Sequence, residues 1–303
     1  MLQKQNTVIV IAGPTAVGKT AVAVQLAQHF NTQIISADSR QCYKELNIGV
    51  AKPTPAQLSA VHHYFINSHS IHQTVNAALF EEYALQCADE IFAKQNIAIV
   101  VGGTGLYIKA FCEGLDDIPV VPNDVRNNII NQYKNKGISF LQDELEQKDK
   151  AYWQVAERQN PQRLMRALEV LYATGNSILF YQNTTFVQRP FNIIKIGLEL
   201  GRETLYQRIN FRVDEMIKEG LSDEVKGLVL HQNLNALQTV GYKELFDYLN
   251  NKADLPTAIK MVKQNTRNYA KRQMTWFKKD EKTRWFSPED FENIVAYLNT
   301  KIQ

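Results

Sequence analysis

The stretch that decides the fold is TVIVIAGPTAVGKT, residues 7–20. Its first six residues are rich in β-branched and apolar side chains, which is typical of a strand buried on both faces of a parallel sheet. The next eight, from Gly13 to Thr20, follow the spacing G-x-x-x-x-G-K-[ST] in full, and residues 20–30 have helical composition. A strand, a glycine-rich loop and a helix in this order predict a P-loop.

A P-loop binds phosphate groups largely through its backbone. The N–H groups of the loop surround phosphate oxygens, and the start of the following helix adds positive potential. We expect a diphosphate or nucleotide to be bound by Gly13, Pro14, Thr15, Ala16, Val17, Gly18, Lys19 and Thr20. Lys19 would bridge the terminal phosphates, and the hydroxyl of Thr20 would bind Mg²⁺, the only cofactor that we expect.

Two further strand-like segments end in polar residues. Residues 33–36 lead to Asp38, and residues 97–101 stop at the sequence GGTG, residues 102–105. Strands that alternate with helices indicate a doubly wound parallel sheet, whose ligands lie beyond the carboxyl ends of the strands. The predicted fold class is therefore α/β, with a P-loop NTPase-like parallel sheet flanked by helices.

The composition of the chain changes after this first part. Residues 119–190 are rich in Asn, Gln, Lys and Glu and show helical periodicity, whereas NIIKIGLEL, residues 192–200, is again typical of a strand. We expect residues 1–118 to form the first part of a P-loop core and residues 119–190 an all-helical insertion domain. Residues 191–303 would complete the core and add a basic, helical C-terminal region.

The strand that ends at Val101 is not followed by an acidic residue. P-loop kinases and NTPases usually have a second acidic Mg²⁺ ligand at such a position, so its absence counts against phosphoryl transfer. An ATP-dependent small-molecule kinase remains the alternative enzyme, and a non-catalytic RNA-binding regulator is the alternative from another class. Asp38 is the best-placed acid at this edge of the sheet, although an Asx turn would explain it equally well.

The C-terminal region contains a run of basic residues. Lys260, Lys263, Arg267 and Lys271 recur at intervals of three and four, which places them on one face of a helix. The basic residues that follow are interleaved with aromatic ones: Tyr269, Arg272, Trp276, Phe277, Lys278, Lys279, Lys282, Arg284 and Trp285. Positive charge beside flat aromatic side chains suits an RNA backbone and unstacked bases, although a solvated helix face would show the same charges.

The overall composition is that of an ordinary soluble protein. Of the 303 residues, 45% are hydrophobic, and the formal net charge is only +3, so a nucleic-acid partner has to be argued from local clusters. The three cysteines form no CxxC pair, which excludes a zinc knuckle of that type. The N-terminus has no long apolar stretch, so we expect a cytoplasmic protein without a membrane partner. We also expect the protein to act as a monomer.

Seven segments together resemble the tRNA dimethylallyltransferase (tRNA isopentenyltransferase) family, in its bacterial type, along nearly the whole chain. They are IAGPTAVGKT (11–20), SADSRQCY (36–43), IGVAKP (48–53), VGGTGLY (101–107), NPQRLMRALE (160–169), TVGYKE (239–244) and RNYAKRQMTWF (267–277). The resemblance implies transfer of a dimethylallyl group from dimethylallyl diphosphate to the N6 amine of the adenosine 3′-adjacent to the tRNA anticodon. The P-loop would then hold a departing diphosphate, which explains the missing acid.

The resemblance also implies roles for individual residues. Asp38 would be the general base, and Thr104 and Lys19 would complete the catalytic set, while Arg212 would contact the diphosphate. The anticodon stem-loop of tRNA would be contacted by Asp38, Ser39, Arg40, Gln41, Thr104, Arg126, Gln162, Arg163, Leu164, Met165 and Arg166. To these we add Lys271 and Arg272 from the basic region.

Overall fold

The computed structural model describes residues 5–182 and 187–302. Its strands are β1 (Thr7–Ala12), β2 (Ile34–Ser36), β3 (His63–Tyr64), β4 (Ile97–Gly102), β5 (Asn192–Leu198) and β6 (Arg284–Phe286). They form a six-stranded sheet in the order β3-β2-β4-β1-β5-β6, and every pairing is parallel. The predicted α/β fold with a parallel sheet is therefore confirmed.

Helices connect the strands. They are α1 (Lys19–His29), α2 (Pro55–Ala60), α3 (Ala77–Phe92), α4 (Gly105–Glu113), α5 (Asn123–Lys136), α6 (Ile138–Lys148), α7 (Lys150–Val155), α8 (Pro161–Thr174), α9 (Arg202–Lys218), α10 (Leu221–Gly227), α11 (Tyr242–Leu249), α12 (Leu255–Phe277) and α13 (Phe291–Asn299). Short 3₁₀ turns lie at Ile178–Phe180, Val229–His231 and Asn235–Leu237.

The central strand β1 is apolar on both faces, as its sequence predicted. Val8 and Val10 belong to one hydrophobic core, and Ile9 and Ile11 belong to the other. The first core includes side chains of α3 and α4, and the second includes side chains of α1 and α13. Because successive side chains of a strand point to opposite faces, only a strand covered on both sides can be apolar throughout.

The register of the sheet brings the functional loops to one edge. Ala12 at the end of β1 pairs with Gly102 of β4 and with Gly197 of β5. The P-loop therefore begins level with the turn that follows β4. The residues after β2 lie at the same edge, since Ser36 pairs with Val101.

The chain divides into two units by its internal contacts. The first contains residues 1–113 and 188–303, and the second contains residues 114–187. The second unit is built from α5 to α8 and has its own core, in which Leu141, Leu145 and Leu168 are fully buried. Its first and last residues lie a few positions before the 119–190 that composition suggested.

Within the described residues, none of the helices combines the length and apolar character needed to cross a membrane. The three cysteines, Cys42, Cys87 and Cys112, are buried and unpaired in disulfides.

Candidate active site

The P-loop links β1 to α1 and holds its lysine close to its own backbone. The ammonium of Lys19 donates a hydrogen bond to the carbonyl of Pro14 at 2.7 Å. The N–H of Thr15 donates to the side chain of Gln273 at 2.8 Å, and Pro14 has no N–H. Pro14 and Thr15 therefore offer no free N–H to an anion, whereas the N–H groups nearest the start of α1 lie where the helix adds positive potential.

Lys19 is half-buried and lines a cavity at this edge of the sheet. Burial lowers the pKa of its ammonium from 10.5 to about 7, the nearby carboxylate of Asp38 opposes that shift, and the guanidinium of Arg212 adds to it. Burial also lowers the pKa of Arg212, although a guanidinium remains charged at neutral pH. Two cations and one carboxylate thus face the same space, which favours a ligand with several negative charges.

Asp38 follows β2 and closes a tight turn. Its Oδ1 accepts hydrogen bonds from the N–H of Arg40 at 2.9 Å and from the N–H of Gln41 at 3.3 Å. This is an Asx turn, one of the two interpretations that the sequence left open. The turn does not exclude the other, because one carboxylate oxygen holds the turn while the residue lines the cavity beside Lys19.

Thr104 lies next to the Asp38 turn. Its hydroxyl oxygen accepts the N–H of Ser39 at 3.0 Å, and its own N–H donates to the carbonyl of Ala37 at 3.2 Å. The turn after β4 is therefore bonded on both sides of Asp38 to the loop that follows β2. Three predicted catalytic residues, Lys19, Asp38 and Thr104, are brought to one edge of the sheet by this arrangement.

Two connected cavities open at this edge. The inner cavity has a volume of about 440 Å³ and is lined by Lys19, Thr20 and Gly103, among others. The outer cavity has a volume of about 640 Å³ and includes Arg40 and Arg272 in its lining. Both cavities are lined by Thr15, Asp38, Val50, Ala51, Arg212, Met216 and Tyr269.

Tyr269 was noted in the sequence only as an aromatic of the basic region. It lines both cavities, and burial raises the pKa of its phenol to about 12, with the charge of Asp38 acting in the same direction. The phenol is therefore neutral near pH 7 and can donate a hydrogen bond. Its aromatic ring gives the junction of the two cavities an apolar, flat surface.

One wall of the inner cavity depends on Glu224, which sequence reasoning missed. Its carboxylate accepts the N–H groups of Asn47 (3.1 Å), Ile48 (2.8 Å) and Gly49 (3.1 Å). The hydroxyl of Tyr242 also donates to it at 2.5 Å. The segment IGVAKP was recognised in the sequence, but nothing local connects it to an acid some 175 residues later on α10.

A magnesium ion would depend mainly on its substrate in this site. Within residues 5–182 and 187–302, His, Cys, Asp and Glu form no cluster of three or more that could hold a metal. The hydroxyl of Thr20 and the carboxylate of Asp38 both line the inner cavity. Mg²⁺ commonly takes one or two protein oxygens together with phosphate oxygens and water, so these donors fit it when a diphosphate is bound.

Two of the predicted tRNA-contacting residues of the second unit, Arg126 and Arg166, share one buried acid, whereas Arg163 pairs with Glu157. Glu169 accepts Nε and Nη2 of Arg126, each at 3.2 Å, and Nη1 of Arg166 at 3.4 Å. Both arginine side chains remain partly exposed. Leu164 and Met165 are buried in the core of this unit, so they support the helix that carries Gln162, Arg163 and Arg166.

The basic stripe on α12 is not free along its whole length. Lys263 forms an ion pair with Asp214 of α9 at 2.6 Å, and Arg267 donates to Asn210 of α9 at 2.7 Å. These contacts hold Lys263 and Arg267 against α9, so part of the basic stripe that the sequence placed on one helix face is paired within the protein. Lys271 and Arg272 are exposed and remain candidates for RNA contact.

The chain is similar to known proteins over nearly its full length. A family model described as IPP transferase matches residues 41–280. A protein of Bacteroides thetaiotaomicron named tRNA dimethylallyltransferase 1 is 45% identical over 292 residues, covering 96% of this chain and 95% of the relative. The tRNA dimethylallyltransferase of Christiangramia forsetii is 47% identical over 298 residues, covering 98% and 99%.

Solved structures show the same relationship. The full-length tRNA isopentenylpyrophosphate transferase of Bacillus halodurans is 34% identical with a TM-score of 0.73, covering 98% of this chain and 97% of that one. A eukaryotic dimethylallyltransferase, described as acting on tRNA, is 28% identical with a TM-score of 0.72 and covers 89% of this chain and 69% of its own.

Proposed function

The chain belongs to the IPP transferase family, and on that premise we propose the reaction that its site performs. It transfers a dimethylallyl group from dimethylallyl diphosphate to the exocyclic N6 amine of the adenosine 3′-adjacent to the tRNA anticodon, and it releases diphosphate. Its near full-length relatives are tRNA dimethylallyltransferases, so the chain is an enzyme that prenylates tRNA. An ATP-dependent kinase is not favoured by any of these similarities.

The observation that carries the proposal is the place of Asp38 between the two cavities. The inner cavity contains Lys19 and the P-loop and suits the diphosphate of the donor. The outer cavity is larger and suits an adenosine taken out of its stack. A carboxylate at their junction lies where the amine and the reacting carbon would meet.

The chemistry follows from the charges at each end of the site. The bond between C1 of the dimethylallyl group and the diphosphate oxygen breaks, and its electron pair stays with the diphosphate. Lys19, Arg212 and the free N–H groups of the P-loop stabilise that charge. The lone pair of the amine forms the new bond to C1, and Asp38 accepts the proton that the nitrogen loses.

Mg²⁺ bound to Thr20 and the diphosphate would add Lewis-acid stabilisation of the leaving group. One chain supplies both cavities, which supports a monomer, and a tRNA substrate supports a cytoplasmic location. On the RNA side, we assign the contacts to residues 38–41 with Thr104, to Lys271 and Arg272, and to Arg126 with Gln162, Arg163 and Arg166. Leu164 and Met165 are buried and would act by supporting their helix.

The proposal is tested with undermodified tRNA, labelled dimethylallyl diphosphate and Mg²⁺. We expect the wild-type protein to label the tRNA, and the variants Asp38→Asn and Asp38→Ala to be slower by roughly 10²- to 10⁴-fold, because a positioned general base contributes about that factor. Asp89→Asn, at an exposed position of α3, is the matched control and should keep full activity. Wild-type protein that leaves the tRNA unlabelled would refute the transferase assignment, and a fully active Asp38→Asn variant would refute the general base.

A further inference from the structure

Gln273 lies on α12 and is buried beneath the P-loop. Its Oε1 accepts the N–H of Thr15 at 2.8 Å, and its Nε2 donates to the carbonyl of Gly103 at 2.9 Å. Thr15 belongs to the loop after β1, and Gly103 belongs to the turn after β4. One side chain from a distant helix thus joins two neighbouring loops at the functional edge of the sheet.

These two bonds require a side chain that accepts one hydrogen bond and donates another. A backbone N–H can only donate and a backbone carbonyl can only accept, so the bridging side chain needs one acceptor and one donor at its end. The carbonyl and amino groups of glutamine provide this pair, whereas a carboxylate or an aliphatic side chain of the same length does not. Gly103 completes the fit, because a Cβ at that position would lie 2.3 Å from Nε2 of Gln273.

The two hydrogen bonds of Gln273 connect the P-loop to the loop that carries Asp38 through a short series of further hydrogen bonds. From Gln273 the series reaches the P-loop that carries Lys19, and through Gly103 it reaches the adjacent residue Thr104. The hydroxyl of Thr104 in turn accepts the N–H of Ser39, the residue after Asp38. This amide therefore acts together with the strand pairing of β1, β4 and β2 in setting the separation between the P-loop and the general base.

We propose that Gln273 is a positioning residue for prenyl transfer. Its side chain lines the inner cavity, but both of its amide hydrogen bonds are to protein backbone, and it acts by fixing the P-loop relative to the turn of Thr104. This inference rests on the reaction proposed above. Its physical basis is that an attacking nitrogen and a carbon must be held within a few tenths of an ångström, and a misplacement of about 1 Å can cost roughly 100-fold in rate. Loss of the bridge should therefore lower kcat while tRNA affinity is kept.

The first test replaces Gln273 with methionine, which has a similar length and neither hydrogen-bonding group. We expect kcat for Gln273→Met to fall by about tenfold to 100-fold, with the Kd for tRNA within twofold of wild type. Gln264→Met makes the same substitution at an exposed position of α12 and should behave as wild type. A Gln273→Met variant with wild-type kcat would overturn the proposal.

The second test uses Gln273→Glu and a pH series, and separates positioning from a general loss of folding. An ionised Glu accepts from Thr15 but cannot donate to Gly103, whereas a protonated Glu can do both. Burial raises the pKa of such a carboxyl, so its protonated form is reached as the pH falls toward 6. We expect kcat of Gln273→Glu, relative to wild type at each pH, to rise at least fivefold between pH 8.5 and 6, while the ratio for Gln273→Met stays flat.

Wild-type protein is assayed in the same series. The experiment therefore distinguishes a failure of the proposed reaction from a failure of the positioning role of Gln273. If wild type transfers no label, the proposed function fails whatever the variants do. If wild type is active and the Gln273→Glu ratio is flat with pH, the amide has only a structural role and the positioning assignment fails.

Discussion

Lys19 shows how the fold prepares a residue for an anionic ligand. In the free protein it is half-buried near one carboxylate and one guanidinium, and desolvation lowers its pKa to about 7. The positive charge of this ammonium is poorly stabilised until a diphosphate binds next to it. Binding of the donor supplies the missing negative charge, so the ligand and the proton of Lys19 favour each other.

We expect the affinity for dimethylallyl diphosphate to fall as the pH rises from 7 to 9. Below pH 7 the ammonium is already present, and above it binding must take up a proton, which costs up to about tenfold in affinity per pH unit. Isothermal titration in two buffers of different ionisation enthalpy would measure the proton uptake directly. In Lys19→Arg the cation persists through this range, so its affinity should not fall with pH; equal slopes for both proteins would contradict the assignment.

The helix α12 has several roles along its 23 residues. Lys263 and Arg267 fasten it to α9, Tyr269 and Gln273 reach the site, and Trp276 lies against the start of α4. The periodicity of its basic residues was readable from the sequence, because a helix repeats every three to four residues. The sequence did not show which of those residues contact α9, because these contacts are with residues some 50 positions away in the chain.

The contact between α12 and α4 is tight at Gly105. A Cβ on Gly105 would lie 2.1 Å from Nε1 of Trp276. We therefore expect Gly105→Ala to lower the free energy of unfolding by about 1–3 kcal/mol, the usual cost of overpacking, as measured by chemical denaturation. The cost should be smaller in a Trp276→Leu background, where the ring is absent.

Gly227→Ala is the matched control for this prediction, since a Cβ there meets nothing within 4 Å. It should leave stability unchanged or raise it slightly, because alanine favours a helix over glycine. The same loss from Gly105→Ala with and without Trp276 would show that the steric explanation is wrong.

For the protein as a whole, binding of RNA should depend on local clusters of positive charge and not on the net charge. The formal net charge of +3 gives little general attraction to RNA, so binding should depend on exposed cations such as Lys271 and Arg272. We expect Lys271→Ala and Arg272→Ala each to weaken tRNA binding and to reduce the slope of log Kd against log salt by about 0.7–0.9, the value of one phosphate contact.

Filter binding or fluorescence anisotropy between 50 and 300 mM salt (roughly the range over which counterion release is resolved) would measure these slopes. Lys94→Ala removes an exposed charge that precedes β4, at the opposite edge of the sheet, and should leave the slope unchanged. A slope reduced equally by all three variants would indicate attraction to net charge instead of a defined surface.

The sequence allowed the P-loop and the central strands to be predicted because their signals are local. A fixed spacing of glycines and a run of apolar residues need no knowledge of distant contacts. The strands β3 and β6 have only two and three residues and carry no such signal. The bond between Thr15 and Gln273 joins residues 258 positions apart, so only the folded chain reveals it.

The order of pairing around β1 has a consequence for how the chain leaves the ribosome. β1 pairs with β4 on one side and with β5 on the other, and β5 begins at Asn192, after the whole of residues 114–187. During translation, one edge of β1 must wait for its partner while residues 13–191 are made, and the 74 residues of the second unit are among them. Throughout that interval the open edge can pair wrongly with another nascent chain, so the position of β5 in the chain lengthens the exposure of β1 to aggregation.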